Sequence, residues 1–383
     1  MSIFHREPLL FDKAEFTSSS NINSICKTYG IGKIDKVIES TMTESYDEYS
    51  LEFDVHRSCN VFNSLEKFNI VLANGQLFRI VDTNYNSEEG VKNVYCKHIT
   101  NDLDFDCCYN LKYKDNKKKY GEVFTAIKKA SQFSNITLTV SLGRFNTLTY
   151  DNDIMEGKVL ETVYSVIESF IEQCAEDGNV VEMEVKRDNN KISFHLFEPN
   201  KDYTNSTYKD SKGIGKDSGI RLDISKIEKV EIVEDDEDFC TKVIALGKDD
   251  KVVKDITHPT LGKAGLPFWI TRTVSFSDEG DTSKLRKLGQ SYIITKSINI
   301  KNIKVDLGEV VGTDIFKQII SHKDLSLYDK IWVKHPDIAD TYVSFRIVKM
   351  ERDIEGNLKS LELGELTNDF IKTLKKAIKK YSK

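Results

Sequence analysis

Proline and glycine are scarce in this chain, at 5 and 20 among 383 residues. No Pro-rich or Gly/Ser stretch separates beads on a string, so the parts of the chain are expected to pack closely. Long apolar runs are missing too. No stretch of about 18 apolar residues occurs, and Met1 to Asp12 is polar rather than a positive-then-greasy signal. Membrane insertion and conventional secretion are therefore not expected, and the chain reads as one that folds in a cytoplasm. Nor does one sign of charge prevail. The 55 basic and 61 acidic residues are mixed along the chain and leave a formal charge of −6, with no basic field to hold phosphates, which argues against a sequence-specific nucleic-acid binder. Seven cysteines, an odd number spread over a long chain, fit reduced thiols better than a disulfide framework.

Signatures of catalysis are equally sparse. The chain has no H-E-x-x-H, no G-x-S-x-G and no Walker loop. Gly213 and Gly215 lack a third glycine and a feeding strand, so that segment reads as a loop. The histidines (His5, His56, His98, His195, His258, His322, His335) are scattered singly. Cys96 and His98 are the nearest approach to a ligand pair, because alternate residues of a strand share a face. A structural zinc would need two more ligands, of which Cys107 or Cys108 is a candidate for one, and ordinary strand residues are the preferred reading. A Cys-His hydrolase is the sharpest enzyme hypothesis, yet nothing sets a cysteine on a helix N-terminus beside a histidine. Cys174 lies on the apolar stripe of a helix, where burial makes a thiol inert. The acidic run Glu234 to Asp238 reads as a solvated turn. No catalytic, cofactor-binding or metal-binding residue is assigned, and no cofactor is expected.

The chain is 39% apolar and 30% charged, which excludes disorder, and its length calls for two to four domains. From about Ile34 to Tyr109 the pattern is period-two and rich in Val, Ile, Phe and Tyr, hence all-β. Lys67 to Leu72 alternates into Asn74-Gly75, the strongest short hairpin signal, and Gln76 to Thr83 runs back. Asn93 to Thr100 follows a turn at Gly90. From Tyr113 to Pro199 the texture is mixed: a short helix over Gly121 to Ser131, an amphipathic helix over Val159 to Cys174 ended by Gly178, and a hairpin of Val180 to Val185 with Lys191 to Phe197. Lys201 to Ser218 is the best connector candidate. Strands return over Ile220 to Gly247 and Ile303 to Gly364, with a helix over Asp281 to Ile293 and a final amphipathic helix over Asn368 to Tyr381.

One weak repeat stands out. Phe78-Arg79-Ile80-Val81 recurs as Phe345-Arg346-Ile347-Val348. Each copy follows a Lys-led strand and a turn, and each precedes a turn glycine (Gly90, Gly356) and another strand. A duplicated barrel leaves such a trace; generic β-meander composition is the alternative.

Three stretches resemble the hub proteins of phage tail tips and baseplates, a family that includes the hub part of tail-associated lysins and prophage tail endopeptidases. The first is Leu77 to Val81 with Val94 to Leu103, similar to that family's strand-turn-strand ending in His-Ile-x-x-Asp-Leu. The second is Thr241 to Lys248, similar to its strand ending in Gly-Lys. The third runs from Leu327 to Val333 through Phe345 to Val348 to Leu361-Glu362-Leu363-Gly364; here Tyr328-Asp329 stands where the family usually has Gly-Asp.

The resemblance implies a mainly β fold with α+β parts: two similar antiparallel β-barrels, a mixed α/β domain and a small fourth domain. The expected bounds are 1–109 for the first barrel, 110–215 for the α/β domain, 216–250 with 305–365 for the second barrel, and 251–304 with 366–383 for the fourth. It implies a virion protein, assembled in the host cytoplasm and placed at the tail tip or baseplate. Three copies would form a pseudo-sixfold ring, held by interfaces on the order of 2,000 Å² or more, that joins a sixfold tail tube or distal tail protein to a threefold spike, fibre or lysin protein. DNA would cross its lumen without specific binding. Lytic activity in the family belongs to appended domains, and Leu366 to Lys383 is too short for one, so no enzyme is expected. A tail-tip lysin (a peptidoglycan endopeptidase) and a receptor-binding adhesin are the alternatives.

Overall fold

The computed structural model describes residues 1–4, 30–114, 116–133, 136–176, 179, 181–197, 217–223, 230–235, 240–257, 263, 267–277, 279–296, 300–306, 325–335 and 339–364. Gly213, Gly215, His5, His258, His322, most of the expected connector, the tip of the acidic turn and the expected C-terminal helix lie outside these residues.

Among the described residues seven strands come first: β1 (Ser2–Phe4), β2 (Gly30–Lys33), β3 (Val37–Ser45), β4 (Tyr49–His56), β5 (Ile70–Ala73), β6 (Gln76–Asn86) and β7 (Val91–His98). A mixed unit follows, with β8 (Cys107–Leu111), β9 (Lys118–Lys119), α1 (Tyr120–Ala130), β10 (Thr137–Ser141), β11 (Thr149–Tyr150), β12 (Ile154–Lys158), α2 (Val159–Glu176), β13 (Glu182–Asp188) and β14 (Lys191–Phe197). The remainder comprises β15 (Asp217–Asp223), β16 (Val230–Asp235), β17 (Lys242–Leu246), β18 (Val252–Thr257), β19 (Thr271–Ser275), α3 (Thr282–Lys296), β20 (Ile300–Asp306), β21 (Lys330–His335), β22 (Ala339–Arg352) and β23 (Leu358–Gly364). The fold is mainly β. Thirteen strands join in one sheet that runs β16-β20-β23-β22-β3-β4-β7-β6-β5-β1-β2, with β21 on β22 and β15 on β21.

Within that sheet the same unit occurs twice. Strands β3 to β7 lie side by side as β3-β4-β7-β6-β5, and β16, β20, β21, β22 and β23 lie as β16-β20-β23-β22-β21, every pairing antiparallel. The register coincides as well. Ile80 faces Cys96 before a bulge, and Ile347 faces Leu363 before a bulge, so Val81 and Val348 fall at the bulges and the repeated tetrapeptide marks the same bend in both units.

The turn that enters β5 and β21 is repeated too. Phe68 (φ 74) and Tyr328 (φ 75) both take left-handed backbone. The Phe68 N–H donates to the Ile80 carbonyl at 2.8 Å and the Ile80 N–H to the Asn69 carbonyl at 2.9 Å; Tyr328, Ile347 and Asp329 repeat the pair at 2.8 and 3.0 Å. Glycine alone adopts such φ without cost. Tyr328, 1% exposed, offsets the strain with a buried ring, and its hydroxyl accepts the Val185 N–H of β13 at 3.0 Å. That bond ties the mixed unit to the second strand unit.

Two placements differ from the sequence expectation. Strand β17, expected in the second barrel, pairs instead with β18 and, in parallel, β19. It forms with α3 a separate core of Cys240, Val243, Ala245, Val253, Ile256, Leu285 and Ile293. Gly247 shows why: a Cβ there would run into the Leu285 side chain and lie 2.5 Å from the Glu279 carbonyl, so α3 packs directly on the end of β17. This unit is thus an insertion between β16 and β20, which are neighbours in the sheet, and β20 as a whole belongs to the sheet rather than to the insertion. Secondly, β15 runs parallel to β21, so the second unit is not antiparallel throughout. A parallel neighbour needs a crossover rather than a hairpin, and the mixed unit precedes β15 in the chain.

The mixed unit holds the expected elements. The stripe Val159, Leu160, Val163, Ile167, Phe170 and Cys174 of α2 is buried, and it packs in one continuous core with Phe194, Tyr328, Phe345 and Leu361. The first strand unit has its own core around Leu51, Phe53, Phe78 and Val94. Two substitutions separate strain from packing at the repeated turn. Phe68 is 46% exposed, so Phe68→Gly should leave stability unchanged to within about 1 kcal/mol, strain relief offsetting the lost ring. Tyr328→Gly should cost about 3 kcal/mol or more, since a buried aromatic and a partner of a buried N–H both go; chemical denaturation of the two variants checks this.

Candidate assembly site at the joint between the strand units

The residues of the first family-like stretch converge on one buried polar cluster. Arg79, on the face of β6 opposite the core residues Phe78 and Ile80, donates through Nε to Asp102 Oδ1 and through Nη2 to Asp102 Oδ2, each at 2.7 Å, with both side chains almost fully enclosed. Its Nη1 donates to the carbonyl of Phe68, so the guanidinium fastens the left-handed turn to the short helix Ile99–Phe105 that carries Asp102. Burial raises the Asp102 carboxyl and the Arg79 charge opposes it. Fork geometry of this kind suits arginine and not lysine.

The residues weighed for chemistry have structural surroundings. His98 is fully buried, bonded through Nδ1 to Thr100 Oγ1 at 2.9 Å and through Nε2 to Gln76 Oε1 at 3.2 Å, and stacked on Tyr49. Burial and then the Arg187 charge hold it well below the usual histidine pKa, hence neutral. Cys96 shares that core, its thiol pushed far up by burial. Cys108 is buried and raised to about 11, while Cys107 is exposed. Cys174 sits in the core beneath α2. Among the described residues no group of three or more His, Cys, Asp or Glu is placed to hold a metal ion.

The geometry that stands out is instead the joint between the two units. The second half of β22 lies between β23 and β3, with Lys349 facing Ser45, Met350 facing Glu44, Glu351 facing Thr43 and Arg352 facing Met42. Side chains reinforce this ladder. Arg187 of β13 donates to the Ser45 and Tyr46 carbonyls at 3.0 and 2.8 Å. Arg352 reaches the Leu325 and Gly356 carbonyls at 2.8 and 3.1 Å. Lys359 donates to the Ser40 carbonyl at 3.0 Å, and the Ile354 N–H donates to Ser40 Oγ at 3.2 Å. Between them Glu44 is held with its carboxyl raised by burial, a shift that Arg187 and Arg352 oppose. Glu44 and Arg187 were not singled out from the sequence. The available signal was the phase of β13: Met183, Val185 and Arg187 all point inward, so the arginine occupies a core position and must find oxygen partners there.

No family model matches the chain, and no curated protein does. Solved structures do. Prophage tail protein gp18 of Listeria monocytogenes aligns with TM-score 0.54 and 14% identity over 91% of this chain and 95% of its own. The 43 kDa tail protein of prophage MuSo2 from Shewanella oneidensis aligns with TM-score 0.54 and 10% identity over 87% and 95%. A tail protein from Neisseria meningitidis gives 0.51, 12%, 89% and 95%. At such identities the likeness is one of fold, and it spans nearly the full length of both partners in each case.

Three variants test the polar groups that hold this region. Arg79→Met strands the Asp102 charge and should cost about 3–5 kcal/mol, while the double variant with Asp102→Leu should recover most of it; urea unfolding measures both. Asp104, beside α2, has an oxygen with no hydrogen-bond partner, and burial, against Lys158 and Lys97, pushes its pKa from 3.8 up to about 6. The folded state therefore favours the protonated form, and this contribution to stability is full below pH 4 and lost as pH rises through 6. Asp104→Asn should stabilise the protein at pH 8 by on the order of 2 kcal/mol and leave it unchanged at pH 4, read from thermal unfolding at the two pH values.

Proposed function

We propose that the chain is a structural hub of a phage or phage-like tail tip or baseplate. In this reading three copies form a ring, each supplying two strand units that curl as barrels, so the ring meets a sixfold tail tube on one face and a threefold spike or fibre on the other. The observation that carries it is the duplication of the five-stranded unit, down to bulge, register and left-handed turn. Two related units per chain let three chains mimic six, which resolves a mismatch between neighbours of different symmetry. The fold shared with solved tail proteins supports a place in a tail. The net charge of −6 suits a lumen that DNA crosses without adhering.

A lysin or a receptor-binding protein is the competing role, and both rest on chemistry rather than symmetry. Light scattering after size exclusion separates the readings. The hub reading expects a particle near three times 43.8 kDa, alone or on addition of tail-tube protein. A species that remains monomeric under both conditions, or that cleaves purified peptidoglycan, overturns it.

A further inference from the structure

The internal joint implies a second joint of the same kind, and the chain leaves both of its halves open. In the second unit, Lys349 to Arg352 of β22 extend beyond β21 and are covered by β3 of the first unit. The matching residues of the first unit follow from the shared bulge. Ile80 stands where Ile347 does, so Asp82, Thr83, Asn84 and Tyr85 of β6 stand where Lys349, Met350, Glu351 and Arg352 do. These residues pair with β7 on one side, and β5 reaches only as far as Arg79 on the other. Among the described residues nothing pairs with their outer edge, and Tyr85 is 47% exposed there.

The strand equivalent to β3 is β16. Met42 faces Leu51 and Glu44 faces Tyr49, while Ile232 faces Ile303 and Glu234 faces Lys301, which aligns Met42 with Ile232 and Glu44 with Glu234. β3 has β4 on one edge and β22 on the other; among the described residues β16 pairs with β20 alone and ends the sheet. One chain thus presents, on β16 and on the part of β6 that projects past β5, the two halves of a contact it already makes once inside itself. An unpaired strand edge exposes a row of main-chain donors and acceptors that templates another strand.

We propose that β16 of one copy of this chain adds to the outer edge of residues 82–86 in the next copy, in the register of the internal joint: Asp82 opposite Asp235, Thr83 opposite Glu234, Asn84 opposite Val233 and Tyr85 opposite Ile232. The contact is heterologous, since different strands meet, and such contacts close into rings when the rotation allows. It rests on the hub reading and names the surface by which the ring would close. At the start of this register, Lys67 Nζ lies 3.0 Å from Asp82 Oδ1 and balances its charge.

Disulfide trapping tests the register. Asn84→Cys with Val233→Cys in one chain, oxidised at concentrations where the trimer forms, should yield covalent trimers, with Asn84→Cys and Val230→Cys, three residues out of register, yielding few. Single-cysteine variants control for the exposed Cys107. Hydrogen exchange on the unaltered protein gives an answer independent of any variant: amides of residues 82–86 should be protected at least tenfold more in the trimer than in dilute monomer. A trimer whose 82–86 amides stay fast, or that cross-links only out of register, overturns this interface and leaves the hub reading standing. A chain that stays monomeric with and without tail-tube protein removes the hub reading itself.

Discussion

The architecture depends on one short main-chain ladder, Lys349–Arg352 against Met42–Ser45. A strand cannot leave its N–H and C=O groups unpaired and buried, so an edge that continues past its hairpin partner must be covered. Here β22 outruns β21, and β3, which begins the other unit, covers the excess. The pairing converts two similar sheets into one array. It also leaves Glu44 half-buried, and burial raises its carboxyl pKa while the two arginines that converge on this region, Arg187 from the mixed unit and Arg352 from β22 itself, oppose that shift.

Around this ladder, the two units keep geometry where they have lost sequence. They retain the tetrapeptide, the bulge at its last residue and a left-handed residue in the turn that enters β5 and β21. Different chemistry stabilises that left-handed residue in each case. Phe68 is held from below by the Arg79 guanidinium on its carbonyl, itself neutralised by Asp102. Tyr328 is held by burial and by the Val185 amide. The backbone constraint came first, and each unit satisfies it with the partners its surroundings offer.

The insertion of the β17–β19 and α3 unit between β16 and β20 fits the same logic. In the first unit a tight turn joins β3 to β4, at the end of the sheet nearest the mixed unit. Its counterpart is a hairpin whose loop has grown into a small body with its own core, which leaves the hairpin register intact. A loop tolerates such growth because closing a longer loop costs little extra entropy.

Short-range pattern was enough to read the elements from the residues: the Asn74-Gly75 turn, the stripe of α2 and the β13–β14 hairpin each report on neighbours within about ten positions, where periodicity and turn chemistry act. Which strand lies beside which was beyond that range. Ser40 and Ile354 bond across 314 positions, and nothing local in either announces the other. The assignment of β17 shows the limit from the other side, since its alternation suits any sheet and only the fit of Leu285 against Gly247 decided which one. Sequence alone determined the kinds of element, through local propensity and spacing, and the structure decided between duplication and a generic meander. Tertiary structure alone decided the joint, the inward lodging of Arg187 and Glu44, and the edges left open, because edge coverage and charge burial depend on what the whole chain brings together.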